Sequence, residues 1–285
     1  MPKYDLEFKP RRKRRMEQAA HFLLGFLAIF LLLGVISVII MQRDGLLDQL
    51  FGGKADPTQD ALTTEPPEGW QYTGSAVLLL SETDDSGTAL RFVALLRVDL
   101  AKRSFNIFPL SPQAKAPVNG EEITLEQAMQ RGGVKQLKAA AEALTEGRID
   151  KYIQSRDAGF TQAVNTMGSV PVQVPQRVEY KSKDFTLTLS AGMNNLPGDR
   201  LLRYFRYLGT LQADGLRQQG ELLRVMLETY LVPKYAESPE KLKQRYEKLV
   251  NLAETDVNSI DFDAQTDMLF ALLQGGGITV TNQEY

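Results

Sequence analysis

A long, uncharged apolar segment near the start of the chain constrains its architecture more than any other feature. No charged side chain interrupts residues 19–42, which are rich in Phe, Leu, Ile and Val. Because a helix rises about 1.5 Å per residue, this run is long enough to cross a hydrocarbon layer of about 30 Å. The segment therefore predicts a transmembrane helix.

The charges on either side of this segment predict its orientation. A basic cluster at residues 11–15 precedes it, whereas Arg43 and Asp44 follow it. Positive charge is retained on the cytoplasmic side of membranes, so the N-terminus is predicted to be cytoplasmic and the rest of the chain extracytoplasmic. The run is longer than a cleavable signal sequence and ends in Met41-Gln42 without a small-residue cleavage pattern. We therefore expect an uncleaved, single-pass signal-anchor in the cell membrane.

These observations divide the chain into four parts. They are a basic cytoplasmic tail (residues 1–18), a transmembrane helix (19–42), an extracytoplasmic linker (43–74) and an α/β domain with C-terminal helices (75–285). The linker contains Gly52-Gly53 and Pro66-Pro67 and lacks apolar periodicity, which is typical of a tether. The outer part is long enough for one globular domain with a sizeable core.

Composition excludes several classes of function. The net charge of −2 argues against nucleic-acid binding through a broad basic surface. The absence of cysteine excludes disulfides, thiol nucleophiles and zinc–thiolate sites. The single histidine, His21, lies at the edge of the apolar run, so a Ser-His-Asp mechanism in the outer domain is excluded as well.

The outer region alternates between strand and helix patterns. The first strands are predicted at residues 76–80, 92–98 and 104–108, with a polar turn at 81–88. Apolar residues at helical spacing predict helices at 134–145, 158–166, 199–207, 216–230, 239–253 and 263–274. Shorter strands are predicted at 152–153, 170–174, 185–189 and 278–280. This order predicts a layered α/β domain with a β-sheet flanked by helices.

Several short motifs follow one another in a recognisable order behind the basic-tailed anchor. They are Val77-Leu-Leu-Leu80, Phe105-Asn-Ile-Phe-Pro109, Gly132-Gly133, Met167-Gly168, Leu196-Pro-Gly-Asp199, Leu202-Arg-Tyr-Phe-Arg206 and Arg217-Gln-Gln219. The pattern resembles the LytR-CpsA-Psr family, also called the cell envelope-related transcriptional attenuator domain. The resemblance implies a mixed β-sheet flanked by helices and an apolar cleft for a polyprenyl tail.

The family's activity sets a chemical requirement. Its members transfer a glycopolymer from a polyprenyl pyrophosphate carrier to peptidoglycan in Gram-positive envelopes. The resemblance implies that arginines hold the pyrophosphate while a carboxylate-bound magnesium ion spreads its charge.

The chain departs from the family pattern at four places. Where the family has Arg-x-Asp, this chain reads Ala89-Leu90-Arg91, which puts a cation at the position of the metal-binding carboxylate. Where the family has Pro-Arg-Asp-Thr, it reads Pro109-Leu110-Ser111-Pro112. Two further family arginines are replaced by Leu208 and Asp214. These replacements predict a degenerate active site.

Two arginines match the family motifs by position, Arg206 and Arg217, and they are the candidate ligands for a pyrophosphate. Arg91 and Arg203 are possible replacement cations. Asp84 and Asp85 are candidate metal ligands, but two acidic residues before Ser86-Gly87 indicate a turn first. No catalytic residue and no metal ligand is assigned.

Three hypotheses follow. In the first, a degenerate family member binds a polyprenyl-linked glycopolymer and envelope proteins, with weak or no catalysis and no cofactor. In the second, an active transferase with a rearranged site requires magnesium. In the third, the protein acts as a transcriptional attenuator, as the alternative name of the family states. Its only support is the basic cluster at residues 11–15, which membrane orientation and anionic lipids already explain. We expect no nucleic-acid partner.

The predicted topology can be tested on intact cells. A protease added outside should remove the region after Gln42 and spare the basic tail, because only the tail is predicted to be cytoplasmic. Immunoblotting with antibodies to each end, with permeabilised cells as the control, measures this. A protected C-terminal region would contradict the predicted orientation.

Overall fold

A computed structural model describes residues 70–211, 214–257, 262–263 and 265–284. The predicted cytoplasmic tail, the transmembrane segment and nearly all of the linker lie outside these residues, so their assignment stays a prediction. Among the described residues, no helix has the length and apolar character needed to cross a membrane.

The described residues form twelve strands and six α-helices. The strands are β1 (Ser75–Thr83), β2 (Leu90–Asp99), β3 (Ser104–Leu110), β4 (Lys115–Val118), β5 (Glu121–Thr124), β6 (Lys151–Arg156), β7 (Val170–Val174), β8 (Val178–Lys181), β9 (Thr186–Leu189), β10 (Gly192–Leu196), β11 (Ala253–Thr255) and β12 (Thr279–Asn282). The helices are α1 (Leu125–Thr145), α2 (Asp157–Met167), α3 (Gly198–Gly209), α4 (Gly215–Tyr230), α5 (Pro239–Leu249) and α6 (Thr266–Gln274).

Six of the strands form the central sheet, in the order β11-β6-β1-β2-β3-β12. The β1–β2, β2–β3 and β6–β11 pairs are antiparallel, whereas β1–β6 and β3–β12 are parallel. The sheet is therefore mixed, as predicted. Because β1, β2 and β3 lie side by side in it, the prediction that the first three strands share one sheet is confirmed.

The two faces of the sheet carry separate apolar cores. Leu78 and Leu80 of β1 pack on the side that helices α2, α3 and α4 cover. Leu79 points the opposite way, towards α1 and the β4–β5 hairpin. This alternation follows from the two-residue period of a strand, and it produces a three-layer α/β/α arrangement with helices on both faces.

Helix α1 begins earlier than predicted. Thr124 caps it: its hydroxyl accepts a hydrogen bond from the Gln127 backbone N–H, and the Gln127 side chain accepts one from the Thr124 backbone N–H. Gly133, with φ of 63°, interrupts the helix, which resumes at Val134 as predicted. The helical segment before this break, from Leu125, was missed.

Two other boundaries differ from the prediction. Strand β1 continues to Thr83, which pairs with Leu90, so the turn begins later than residue 81. Helix α5 ends at Leu249 rather than at residue 253. There the chain passes through a 3₁₀ turn, Val250–Leu252, into β11, which adds to the sheet by pairing with β6.

The 3₁₀ turn packs so closely on α2 that Gly159 has no room for a side chain. A Cβ at this position would lie 2.2 Å from the Leu252 carbonyl oxygen. We expect Gly159→Ala to lower the free energy of unfolding by about 1–3 kcal/mol, because the backbone must shift to relieve the overlap. Urea unfolding of the full chain in detergent micelles, followed by Trp70 fluorescence, measures this change.

Gly147→Ala is the matched control, because the nearest atoms to its Cβ would lie 3.6 Å away. Its stability should change by less than about 0.5 kcal/mol. An equal loss of stability in both variants would show that the close contact at Gly159 does not cause the destabilisation.

Candidate functional site

An apolar cavity lies between the sheet and helices α2, α3 and α4. Its volume is about 70 Å³. Its lining includes Leu80, Phe92, Phe160, Phe205, Met226 and Tyr230. For comparison, an apolar cavity of about 150 Å³ is known to hold a benzene molecule, so this cavity in its present form holds less than one aromatic ring.

A buried carboxylate, Glu82, lies at the edge of this cavity. Successive side chains alternate along a strand, so Glu82 points to the same face as Leu78 and Leu80. Its side chain lines the cavity, and the residue is only 4% exposed. Neither carboxylate oxygen receives a hydrogen bond from any described donor. Its close neighbour is instead a second carboxylate, Asp157, with which it can bond only by sharing a proton.

The surroundings of Glu82 favour its protonated form. Burial raises the pKa of Glu82 well above its usual range, and the hydrogen bond with Asp157 and that residue's negative charge raise this pKa further. Arg206 and Arg91 lower the pKa of Glu82 without cancelling the rise. Glu82 therefore keeps its proton at pH values where an exposed glutamate is ionised.

An ion pair joins two helices beside Glu82. The Arg206 guanidinium, on α3, donates to the carboxylate of Asp157, the first residue of α2. Their side chains are 19% and 15% exposed, respectively. The Nε of Arg206 is buried and has no hydrogen-bond partner among the described residues. Arg206 therefore keeps unused hydrogen-bonding capacity at the point where α2 and α3 meet.

Arg206 also lines a polar cleft of about 470 Å³. Arg91, at the start of β2, and Gln219, on α4, also line it, and the β8–β9 hairpin forms its rim. Gln219 donates to the Phe205 carbonyl at 3.1 Å, which fixes α4 against α3. The Arg91 guanidinium makes no hydrogen bond or ion pair with any residue that the structure describes. Phe92 and Phe205, which are the chain neighbours of Arg91 and Arg206, line the apolar cavity instead, so the cavity and the arginine-lined cleft lie on two sides of the same stretches of β2 and α3.

The structure brings Arg206 and Arg91 to one cleft but not the other two candidate arginines. Arg217 is half-exposed, lies 3.5 Å from Asp214, and lines a neighbouring cleft. Arg203 donates to the Thr186 carbonyl at 3.2 Å and lies along neither cleft. A ligand role for Arg206 or Arg217 stays a prediction.

The two acidic residues that follow β1 have structural roles. The Asp84 carboxylate accepts hydrogen bonds from the Thr88 and Ala89 backbone N–H groups, both at 3.0 Å. The Asp85 carboxylate accepts one from Ala158 at 2.8 Å in the first turn of α2. Within the described ranges, no group of three or more acidic or histidine side chains is arranged to hold a metal ion.

Sequence reasoning missed Glu82 and Asp157. The predicted turn at residues 81–88 hid the fact that Glu82 continues the inward series of Leu78 and Leu80. That alternation was a usable signal, because a carboxylate on the buried face of a strand requires a partner or a proton.

Comparison with known proteins gives the family. The model described as the LytR_cpsA_psr family matches residues 108–283. This chain belongs to the LytR_cpsA_psr family. The resemblance seen in the sequence is therefore confirmed.

Two kinds of relative show how far the similarity to this LytR_cpsA_psr protein extends. Biofilm regulatory protein A of Streptococcus mutans is 23% identical over 180 residues, which is 58% of this chain and 44% of that protein. The crystal structure of B. subtilis TagV has a TM-score of 0.60 at 17% identity and covers 74% of this chain and 85% of TagV. TagT bound to LI-WTA has a TM-score of 0.53 at 16% identity and covers 80% of this chain and 87% of TagT. At these identities, the two structures support a common fold.

The protonation of Glu82 predicts a pH-dependent stability. As pH rises above about 4.3, Glu82 loses its proton in the unfolded chain while it still holds it in the folded chain. Folding must then take up a proton or bury a charge, and both cost free energy. The stability contributed by Glu82 is therefore present at acid pH and is lost as pH rises towards its raised native pKa. We expect Glu82→Gln to raise the free energy of unfolding by about 1–3 kcal/mol near pH 8 and to change it little near pH 4.

Urea unfolding of the full chain in micelles at both pH values measures this effect. Glu122→Gln, at an exposed position, is the control and should change stability little at either pH. A uniform destabilisation of Glu82→Gln would show that Glu82 is ionised and paired in the native state.

Proposed function

We propose that this LytR_cpsA_psr protein is anchored in the cell membrane and binds a glycopolymer carried on polyprenyl phosphate or pyrophosphate, with weak or no catalysis. The observation that carries the proposal is that neighbouring residues of β2 and α3 line two different sites: Phe92 and Phe205 line the apolar cavity, whereas Arg91 and Arg206 line the polar cleft. A ligand with an apolar tail and an anionic head has the complementary chemistry. The structure of TagT bound to LI-WTA supports a ligand-binding role for this fold.

The anchor and the partners follow from the sequence. The apolar run at residues 19–42 and its basic flank favour a domain held outside the membrane, close to lipid-linked substrates. We expect its partners to be the membrane, the lipid-linked glycopolymer and other proteins of cell envelope assembly.

The small volume of the cavity means that α2 and α3 must move apart to admit a polyprenyl tail. At about 70 Å³, the cavity is too small for more than a fraction of such a tail. The Arg206–Asp157 ion pair connects the two helices beside the cavity. We infer that this pair acts as a latch, and that opening it is part of ligand binding.

An anionic head group can release this latch by competition. A phosphate oxygen accepts charge-assisted hydrogen bonds from a guanidinium at least as well as a carboxylate does, and it can use the unpaired Nε of Arg206 as well. Arg91, whose guanidinium has no hydrogen-bond partner among the described residues, supplies a second cation in the same cleft. Asp157, once released, stays beside the protonated Glu82.

The residues present do not fit a magnesium ion. Magnesium is bound through ionised carboxylates and phosphates. Here Asp157 is occupied by Arg206, and Glu82 holds a proton in an apolar setting. Arg91 also introduces a positive charge at the position where the family has an aspartate. We therefore propose that Arg91 and Arg206 bind the head group without a metal.

Substitution of the two members of this ion pair is expected to change lipid binding in opposite directions. Arg206→Ala should weaken binding of polyprenyl phosphate by about 10- to 100-fold, because a charged hydrogen bond contributes about 1.5–3 kcal/mol. Asp157→Asn should tighten binding several-fold, because it removes the competing carboxylate. Equilibrium binding of a fluorescent polyprenyl phosphate to the full chain in detergent micelles, with and without EDTA, measures both effects.

Arg203→Ala is the matched control on the same helix, because that side chain is exposed and lies outside the cleft; Arg217→Ala tests the other predicted arginine. An equal loss of binding affinity in Arg206→Ala and Asp157→Asn would show that the ion pair has only a structural role.

The same preparation should release no polyprenyl phosphate from a pyrophosphate-linked substrate. Magnesium-dependent release that Arg206→Ala or Arg217→Ala abolishes would establish the alternative, an active transferase that moves the glycopolymer to peptidoglycan.

A further inference from the structure

A separate pocket lies on the opposite face of the sheet, where α1 ends at Thr145. It has a volume of about 400 Å³ and shares no lining residue with the apolar cavity or the polar cleft. Its floor is apolar and comes from the first three strands, through Val77, Leu95 and Phe108. We call it the basal pocket, because it lies at the start of β1.

Two arginines line the basal pocket, Arg97 on β2 and Arg148 just after α1. In the register of the sheet, Arg97 lies between Val77 on β1 and Asn106 on β3, so neither neighbouring strand places a carboxylate opposite it. The Arg97 guanidinium makes no hydrogen bond or ion pair within the part of the chain that the structure describes. Arg97 therefore presents a free cation beside an apolar floor.

The one carboxylate that lines the basal pocket, that of Asp150, is already used by the protein. One of its oxygens accepts a hydrogen bond from the Val77 backbone N–H at 2.9 Å, and the other lies 3.4 Å from the Nε of Arg148. The terminal nitrogens of Arg148 have no such partner among the described residues. The pocket therefore offers more hydrogen-bond donors than its own carboxylate satisfies.

A phosphodiester with an attached apolar group matches this combination. A guanidinium binds phosphate oxygens through paired hydrogen bonds, and two guanidiniums in one pocket favour an anion with several such oxygens. Aliphatic carbons next to the phosphate would cover the apolar floor and gain free energy in proportion to the area buried. Free phosphate lacks these carbons, and a neutral glycan lacks the charge. The head group, glycerol and first acyl carbons of an anionic phospholipid supply both.

The same end of the domain carries side chains typical of a membrane interface. The start of β1 lies beside the turn between β2 and β3, whereas Arg91 and the polar cleft lie at the other end of these strands. Near this turn, Trp70 donates to the Leu100 carbonyl at 2.9 Å, and the Tyr72 ring centroid lies 4.9 Å from that of Trp70. Trp and Tyr are enriched where proteins meet lipid head groups. Lys102, in the turn, adds an exposed cation.

We propose that the basal pocket binds an anionic phospholipid of the bilayer, whose phosphate is held by Arg97 and Arg148. The glycerol and the first acyl carbons lie on the apolar floor. This contact orients the domain, with the start of β1 on the membrane and the polar cleft at the end that faces away from it. The inference rests on the membrane anchor in the proposed function and is independent of glycopolymer binding.

The chain contains no cysteine, so a single introduced cysteine can carry an environment-sensitive fluorophore. Gly147→Cys places it at the basal pocket, and Lys183→Cys places it at the opposite end, on the β8–β9 hairpin. The full chain is inserted into nanodiscs of phosphatidylcholine, with or without phosphatidylglycerol. Phosphatidylglycerol should increase the emission and shift it to the blue for Gly147→Cys, and it should leave Lys183→Cys unchanged.

The arginines are tested in the Gly147→Cys background. Arg97→Gln and Arg148→Gln should each lower the apparent affinity for phosphatidylglycerol about fivefold, because each removes one cation near the lipid surface. Affinity is measured from the emission at several phosphatidylglycerol contents. Arg177→Gln is the matched control, because it removes the same charge from an exposed position outside the pocket. It should respond to the lipid as the parent does.

Three results would overturn the proposal. The first is an equal response to the two lipids, and the second is an unchanged response when Arg97→Gln and Arg148→Gln are combined. The third is a full response to soluble glycerol 3-phosphate or to an acidic peptide without phosphatidylglycerol, which would assign the pocket to a free phosphate or to a protein partner.

Polyprenyl phosphate binding in the same samples separates this proposal from glycopolymer binding. The combined Arg97→Gln and Arg148→Gln variant should bind polyprenyl phosphate as the wild type does, because Arg206 and the apolar cavity are unchanged. A phosphatidylglycerol response without polyprenyl phosphate binding would support the basal pocket and contradict the proposed function. Polyprenyl phosphate binding without a phosphatidylglycerol response would do the reverse.

Discussion

Burial of β1 on both faces and both edges determines where a site can form. Helix α1 covers one face, α2 to α4 cover the other, and β2 and β6 pair with the two edges. Polar side chains on such a strand are costly, so the strand is apolar from Ala76 to Leu80, and its polar end comprises Ser81, Glu82 and Thr83. Polar chemistry therefore begins at this end of the sheet. Glu82 is tolerated there because it keeps a proton and has Asp157 beside it.

The periodic elements of the fold were predictable from the sequence. Strands β1 to β3 and helices α2 to α4 have long, regular apolar patterns, and the structure confirms their type and approximate bounds. Strands β4, β5, β8, β10 and β11 were missed, because each has at most two apolar side chains, whereas the predicted strands at 170–174 and 185–189 have three; β4 also contains Pro117. Their stability depends on a partner strand, and single-sequence periodicity does not show that partner.

The site was only partly predictable, because its residues meet through tertiary pairing. Glu82 and Asp157 are distant in the chain, and they become neighbours because parallel pairing of β1 with β6 puts Thr83 beside Arg156. The family motif identified Arg206, whereas helix geometry separates Arg217 from Gln219. Residues two positions apart in a helix point about 200° apart around its axis. Because Gln219 is buried against α3, Arg217 therefore points towards a different surface.

The parallel pairing of β12 with β3 imposes an order on folding. Thr279 pairs with Ser104, so one edge of the central sheet is completed only by one of the last segments of the described chain. Such long-range pairing slows folding, because a large loop must close before the contact is gained. Until then, the open edge of β3 can pair with a strand from another molecule. A chain that emerges gradually during synthesis would therefore pass through an aggregation-prone intermediate, and the yield of folded protein would depend on how quickly the final segment follows.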